Sequence, residues 1–232
     1  MSWIRRVVER LARGRKLKRT LPNGVPFYVS PDAQLKYLKR SFDDDLIQLA
    51  NDHVDANSVV WDVGSNCGVF AFSAAKAKQV VAVEADPFLS HILQESIAIN
   101  GLPVSLVSAA AWSSRGVAEF TIARRGRASN HLASVAGRSQ SGGERARIMV
   151  PTLALDDMLE TFMAPTFIKI DVEGAETEVL RGASKVLREC QPTVYLEIGE
   201  ESFEGCSLLL KEAGYEMSNV GGMNWMCTPK KG

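Results

Sequence analysis

From Ser58 onward the chain alternates short apolar strands with helical segments, and no other feature limits its fold as strongly. "SVVWDV" and "VVAVEA" are continuous apolar runs of strand length. They are followed by "VFAFSAAKAK" and by "PFLSHILQESIAIN", which opens on Pro87, a residue favoured at the first helical position. "VSLVSAAA" supplies a third strand, "APTFIKIDV" a fourth and "PTVYLEI" a fifth. "GAETEVLRGASKVLREC" and a segment through "SLLLKEAG" provide the helices after the last two, and "YEMSNV" and "NWMCT" close the sheet as an antiparallel pair. Strands buried on both faces and joined by helices predict an α/β fold, a mostly parallel sheet with helices on both sides.

Three segments stand outside this alternation. Residues 113–151 are rich in Gly, Ser and Arg and predict an inserted hairpin or lid, with a mobile tip, between the third and fourth strands. "LPNGVPFYVSP" reads as a turn-rich strand. "SFDDDLIQLANDHV" predicts a helix capped by Ser41, with Asp43 to Asp45 at its positive end; helix-start chemistry accounts for the three acids more economically than a metal site.

The 232 residues suit a basic arm, 1–20, followed by one domain, 21–232. Charge separates the two. The arm holds eight basic side chains and one acid, although the whole chain has 27 of each sign. Trp3, Ile4, Val7, Val8 and Leu11 recur at helical spacing, so the arm is expected as an amphipathic helix. A short apolar face of this kind favours packing on the domain or on a second copy in a homo-oligomer; the alternative is peripheral contact with an anionic membrane surface. Cys67, Cys190, Cys206 and Cys227 form no CxxC pair, and no apolar run reaches the ~18 residues of a membrane span, so a cytoplasmic setting is expected. No metal is expected, since no His, Asp or Glu group has ligand spacing. Nor is a nucleic-acid partner, because Phe120 is the only aromatic of the Arg-rich insertion.

The turn after the first strand carries the chemistry. Asp62 and Val63 end the strand, and Gly64–Ser65–Asn66–Cys67–Gly68 leads into a helix. Gly64 permits a sharp turn, and Gly68 a close approach of helix to sheet. Glu84 ends the second strand, 20 residues beyond Gly64, where a carboxylate can accept both hydroxyls of a ribose; Ala85 adjoins it. A dinucleotide site would want Gly where Asn66 stands, and Asp62 suits a cationic ligand better than a diphosphate. These parts favour S-adenosylmethionine. A nicotinamide-dependent oxidoreductase and a non-catalytic cofactor-binding module are the competing readings.

"VVWDVGSNCGVF", "VVAVEADP", "PTLALDDML" and above all "FIKIDVEGAETEVLRGA" resemble the motifs of FkbM-type methyltransferases, from about Leu46 to Tyr215. The resemblance implies a Rossmann-like class I methyltransferase fold with a seven-stranded sheet. It also implies O-methylation, with S-adenosylmethionine, of a small hydroxyl acceptor such as a sugar or polyketide. By the same resemblance Asp62, Gly64, Ser65, Asn66 and Gly68 cradle the methionine end, Glu84 and Ala85 hold the ribose, and Ala110 and Ala111 border the adenine. The candidate catalytic residues are Asp171 at the carboxyl end of the fourth strand, Glu173 just past it, and His131 in the insertion, where an imidazole can serve as a base near neutral pH. Lys169 and Asp171 share one strand face, and Glu197 ends the fifth strand, where a salt bridge to Lys169 is expected. Six arginines crowd the insertion (Arg124, Arg125, Arg127, Arg138, Arg145 and Arg147), either as a solvated hairpin or as an attraction for an anionic acceptor.

Overall fold

The computed structural model describes residues 11–124, 127–132 and 143–230. Strands β1 (Leu17–Thr20) and β2 (Pro26–Val29) form a small antiparallel pair, followed by helix α1 (Asp44–His53). The alternating units then run β3 (Val59–Val63), α2 (Val69–Ser73), β4 (Gln79–Val83), α3 (Pro87–Ala98) and β5 (Val104–Val107). The insertion holds β6 (Ala110–Ala111), β7 (Gly116–Ala123), β8 (His131–Leu132) and β9 (Glu144–Leu153). After α4 (Leu155–Met158) come β10 (Phe167–Ile170), α5 (Glu176–Arg181), β11 (Thr193–Glu197), α6 (Phe203–Glu212), β12 (Tyr215–Gly221) and β13 (Asn224–Pro229).

Among the described residues the main sheet has seven strands in the order β12-β13-β11-β10-β3-β4-β5. Strands β5, β4, β3, β10 and β11 pair parallel, and β13 is antiparallel to both of its neighbours. The expected mostly parallel sheet is therefore present. The pleat of β3 divides the core: Val60 joins the apolar layer of α2, α3 and β2, while Val59, Trp61 and Val63 join the layer under α4, α5 and α6. From β3 the chain builds β4 and β5 on one side, and later β10 and β11 on the other. The crevice where strand order switches thus opens above β3 and β10, the usual ligand position in such sheets.

Several local expectations change. Helix α1 begins at Asp44 behind Asp43, a left-handed residue with φ 52°; Ser41 donates its hydroxyl to the Asp44 carboxylate and caps no backbone N–H. Ala110 and Ala111 do not continue the third strand, which ends at Val107. They pair with Thr152 and Leu153 in a separate four-stranded sheet, β6-β9-β7-β8. The helix after β10 breaks at Gly182, packed so closely on the 112–113 backbone that a Cβ there would lie 2.1 Å from the Trp112 carbonyl oxygen. Of the basic arm, residues 1–10 lie outside the described residues, as do most of its helical apolar positions. The remainder packs on the domain: Leu17–Thr20 is a strand, Lys16 pairs with Glu95 of α3, and Arg19 donates to the carbonyls of Tyr37, Lys39 and Arg40 at 3.0, 2.7 and 2.9 Å. No described helix is long and apolar enough to cross a membrane.

The insertion is the expected hairpin, β7 against β9, and of its four described arginines two, Arg127 and Arg145, turn toward the domain. Arg127 grips Asp86, at the start of α3, through Nη1 at 2.6 and 2.7 Å and reaches Asp32 through Nε at 3.1 Å. Arg145 donates to the same Asp32 at 2.9 and 3.0 Å, and Asn130 to Asp86 at 2.6 Å. Arg147 pairs with Glu119 and Glu144. Of the four described arginines, Arg127 and Arg145 thus dock the hairpin, while Arg147 ties its two strands together. Because the Asp86 side chain is 0% exposed, Arg127→Ala leaves a buried carboxylate poorly matched and should cost about 3–5 kcal/mol. Amide hydrogen exchange should quicken in β7 and β9 while β3, β4 and β10 stay protected; uniform loss of protection would mean that the hairpin is not a separable layer.

Candidate cofactor pocket

The turn after β3 is shaped by backbone contact. Gly64 has φ +75°, and its N–H donates to the Val83 carbonyl at 3.0 Å, as that of Ser65 does at 3.1 Å. A Cβ on Gly64 would stand 1.9 Å from the Asp171 carbonyl oxygen, so only glycine lets the ends of β3 and β10 meet. Asn66, with φ 53°, then turns its backbone N–H onto Glu84 Oε2 at 2.7 Å. Its own side-chain Oδ1 is buried and has no hydrogen-bond partner. Asn66 lines a cavity of about 260 Å³ above the sheet, with this orphaned acceptor buried at its edge.

Gly64, Asn66, Glu84, Ala85, Ala110, Ala111, Asp171, Glu173 and His131 all line that cavity, so most of the residues singled out in sequence come together. Asp62, Ser65 and Gly68 do not reach it. The pleat sends Asp62 beneath the pocket, where it is fully buried and its Oδ2 accepts the Ala71 N–H of α2 at 3.1 Å. Ser65 turns its hydroxyl back to the Asp62 carbonyl at 2.5 Å. Gly68 precedes α2 with φ +83°, and a Cβ there would meet the Leu93 and Phe72 side chains at 2.5 and 2.7 Å. These three residues hold the floor and touch no ligand space.

Lys169 joins floor to pocket. Its Nζ donates to Asp62 Oδ1 and to the Gly64 carbonyl, each at 3.2 Å, and stands 3.7 Å from Asp171 Oδ2. Burial alone would lower the Lys169 pKa, yet the opposing carboxylates of Asp62 and Asp171 hold it above its ordinary value, so Lys169 is a cation at every physiological pH. Asp62 and Asp171 are ion-pair partners of Lys169, and Glu197 adds a coulombic attraction. Asp171, one-third exposed, faces the cavity with Lys169 behind it.

Glu84 is the second buried acid. Its oxygens accept the N–H groups of Asn66 and Asp86 at 2.7 and 2.8 Å, but burial outweighs these bonds and raises its pKa to about 8. Bare backbone at Gly64, the partnerless Asn66 Oδ1 and a carboxylate at the end of the next strand fit a ribose and the polar tail of an amino-acid nucleoside.

Sequence reasoning missed the pocket's other walls. Asp43 and Asp45 face the cavity, although their run signals only a helix start; Lys36, Arg127, Asn130 and Tyr195 join them. No local signal marks these residues, because long-range packing of the N-terminal segment and the hairpin brings them in. Among the described residues no group of His, Cys, Asp or Glu is placed to hold a metal ion.

The sheet order and the pocket at its switch point define a class I methyltransferase fold. A solved FkbM methyltransferase from Methylobacillus flagellatus shares it, with a TM-score of 0.52, 15% identity and coverage of 76% of this chain and 44% of that one. So does the M. jannaschii protein TYW2, solved in complex with AdoMet, with a TM-score of 0.50, 14% identity and coverage of 91% and 83%. The methyltransferase FkbM domain matches residues 53–217, and the chain belongs to that family. It is also 28% identical over 147 residues to the hexuronic acid methyltransferase AglP of Haloferax volcanii, covering 62% of this chain and 57% of that protein. The chain thus spans little more than half the length of that relative.

A buried acid with a raised pKa keeps its proton in the folded chain after the unfolded chain has released it. The stability this gives is full below about pH 4.5 and is lost as the pH climbs through about 8. A ribose diol reverses the preference, because its hydroxyls donate best to an ionised carboxylate. Cofactor affinity measured by calorimetry should therefore rise from pH 6 to pH 8 and level off above it, with proton release on binding. Glu84→Gln should weaken binding and flatten the profile; an unchanged slope would remove Glu84 from the ribose site.

Proposed function

We propose that this chain binds S-adenosylmethionine in the switch-point pocket and directs its methyl group to a hydroxyl oxygen of a small, sugar-like acceptor. The observation that carries this reading is the joint geometry of Gly64, Asn66 and Glu84: a bare turn, an unsatisfied acceptor and a buried carboxylate on one wall of one cavity. Family membership and the hexuronic acid activity named for AglP support it. When bound, S-adenosylmethionine supplies a methyl group on a sulfonium, an electrophile that needs no metal. The chain's residues have to aim a hydroxyl at it and accept the proton that the hydroxyl loses.

Asp171 is suited to that task. It borders the cavity at the end of β10, directly beside the Gly64 turn, with the Lys169 ammonium 3.7 Å from its Oδ2. His131 faces the same cavity from the hairpin sheet, where its Nδ1 lies 3.3 Å from the Ser129 carbonyl, and Glu173 sits on the rim in a strained backbone conformation, φ 30°. Both flank the acceptor. Against a dinucleotide, Asn66 stands where close approach to a pyrophosphate calls for glycine.

S-adenosylmethionine or its demethylated product should raise the melting temperature and NAD should not; at 100 times the dissociation constant, binding stabilises the fold by about 2.7 kcal/mol. A shift with NAD alone would overturn the reading.

Asp171→Asn preserves shape and removes charge. It should slow single-turnover methyl transfer at saturating cofactor by roughly 10²–10⁴ if the carboxylate takes the proton. Normal turnover would transfer that role to His131 or Glu173.

A further inference from the structure

Between β2 and α1 the chain runs along the pocket with little regular structure. Residues 34–43 contain one short 3₁₀ turn, Leu35–Leu38, and contribute Gln34, Lys36 and Asp43 to the cavity wall. Asp43, left-handed at φ 52°, ends the segment where α1 begins. Among the described residues, the backbone hydrogen bonds of this segment stay within it and its immediate flanks. Gln34 donates to Ser30, Tyr37 to Gln34, Lys39 to Lys36, and Ile47 to Asp43. No strand of either large sheet pairs with it.

Side chains tie the segment to the domain instead. Arg19 of β1 donates to three of its carbonyls, those of Tyr37, Lys39 and Arg40, and its guanidinium lies 4.8 Å from the centre of the Phe42 ring. Phe42 packs on Phe27 of β2 and, edge-on, on Tyr37, with ring centres 6.3 and 5.3 Å apart. Tyr37 is buried, which keeps its phenol protonated, and the phenol stands against the Cys67 thiol and the Asp43 carboxylate. Cys67 follows Asn66 in the glycine turn, so Tyr37 joins the segment to the backbone that presents Asn66 to the cavity. Between the two buried rings, residues 38–41 are exposed. A segment held by one guanidinium and two rings, with no strand ladder, can open as a unit while the sheet stays folded.

We infer that residues 34–43 form a strap that swings clear for cofactor exchange and closes over the bound cofactor, with Arg19 as its latch and Tyr37 as its contact with the glycine turn. Arg19 does not line the cavity, so it acts as a positioning residue and touches no ligand. The inference rests on the methyl-donor reading above.

The test uses the full chain with and without S-adenosylhomocysteine, followed by amide hydrogen exchange and by the rate at which a chase displaces the bound ligand. Binding should slow exchange across residues 35–43. Arg19→Lys keeps the charge, but one ammonium cannot reproduce a planar fork over three carbonyls. The variant should release S-adenosylhomocysteine about tenfold faster or more, the scale of one lost hydrogen bond to a charged group. Its amides at 35–43 should exchange faster while those of β3 and β10 keep their protection. An unchanged release rate would overturn the inference, as would exchange at 35–43 that ignores the ligand. Loss of protection throughout β3 and β10 in the variant would overturn it too, by making Arg19 a general support of the fold. Failure of the unsubstituted chain to bind S-adenosylhomocysteine is a different result, which removes the methyl-donor reading and the strap's closure with it.

Discussion

The ion pair between Lys169 and Asp62 joins the two halves of the sheet at the point where the pocket forms. Both side chains are nearly or fully buried, and they face each other across the β3–β10 register. Such a pair contributes little net stability, but removal of one partner strands a charge in the core at a cost of roughly 3–5 kcal/mol. Its value here is placement. Asp62 is fixed by the Ala71 N–H at the start of α2, and Lys169 by the Gly64 carbonyl, so helix, glycine turn and β10 share one electrostatic knot. Asp171, the candidate base, stands at the edge of that knot, 3.7 Å from the Lys169 ammonium.

A second polar centre stands at the opposite wall. Asp32, Asp86, Arg127, Arg145 and Asn130 tie the N-terminal segment, the start of α3 and the inserted hairpin together. The Arg127 guanidinium also lies 4.6 Å from the centre of the Phe88 ring, which adds a cation–π contact to its two carboxylates. The hairpin therefore adds a wall to the pocket, with His131 and Leu132 on its inner side. Of the arginines that read in sequence as a lure for an anionic acceptor, Arg127 and Arg145 are committed to this docking.

Legibility followed the range of the interactions. Strand, glycine turn and acidic strand end are short-range signals, so spacing singled out Gly64 and Glu84, the family resemblance added Asn66, and all three line the cavity. Asp62 was misplaced by a single fact of the pleat, the face to which it points, and in a strand buried on both sides no apolar pattern reveals that face. Ala110 and Ala111 border the cavity as expected, but from a different sheet, because the chain leaves β5 at Val107 and pairs with β9.

By itself the sequence determined the alternating architecture, the glycine turn, the carboxylate on the neighbouring strand and membership of a methyltransferase family. Each of these depends on local periodicity or on short spacings that any fold must respect. Only the tertiary structure decided that Asp62 is a partner of Lys169 and does not contact ligand space. Only it brought Asp45, Tyr195 and Glu197 to one wall, from a helix start and a strand separated by some 150 residues. The physical reason is that charge in a pocket is a sum over whatever packing brings within a few ångströms, and burial decides which of those charges are already matched.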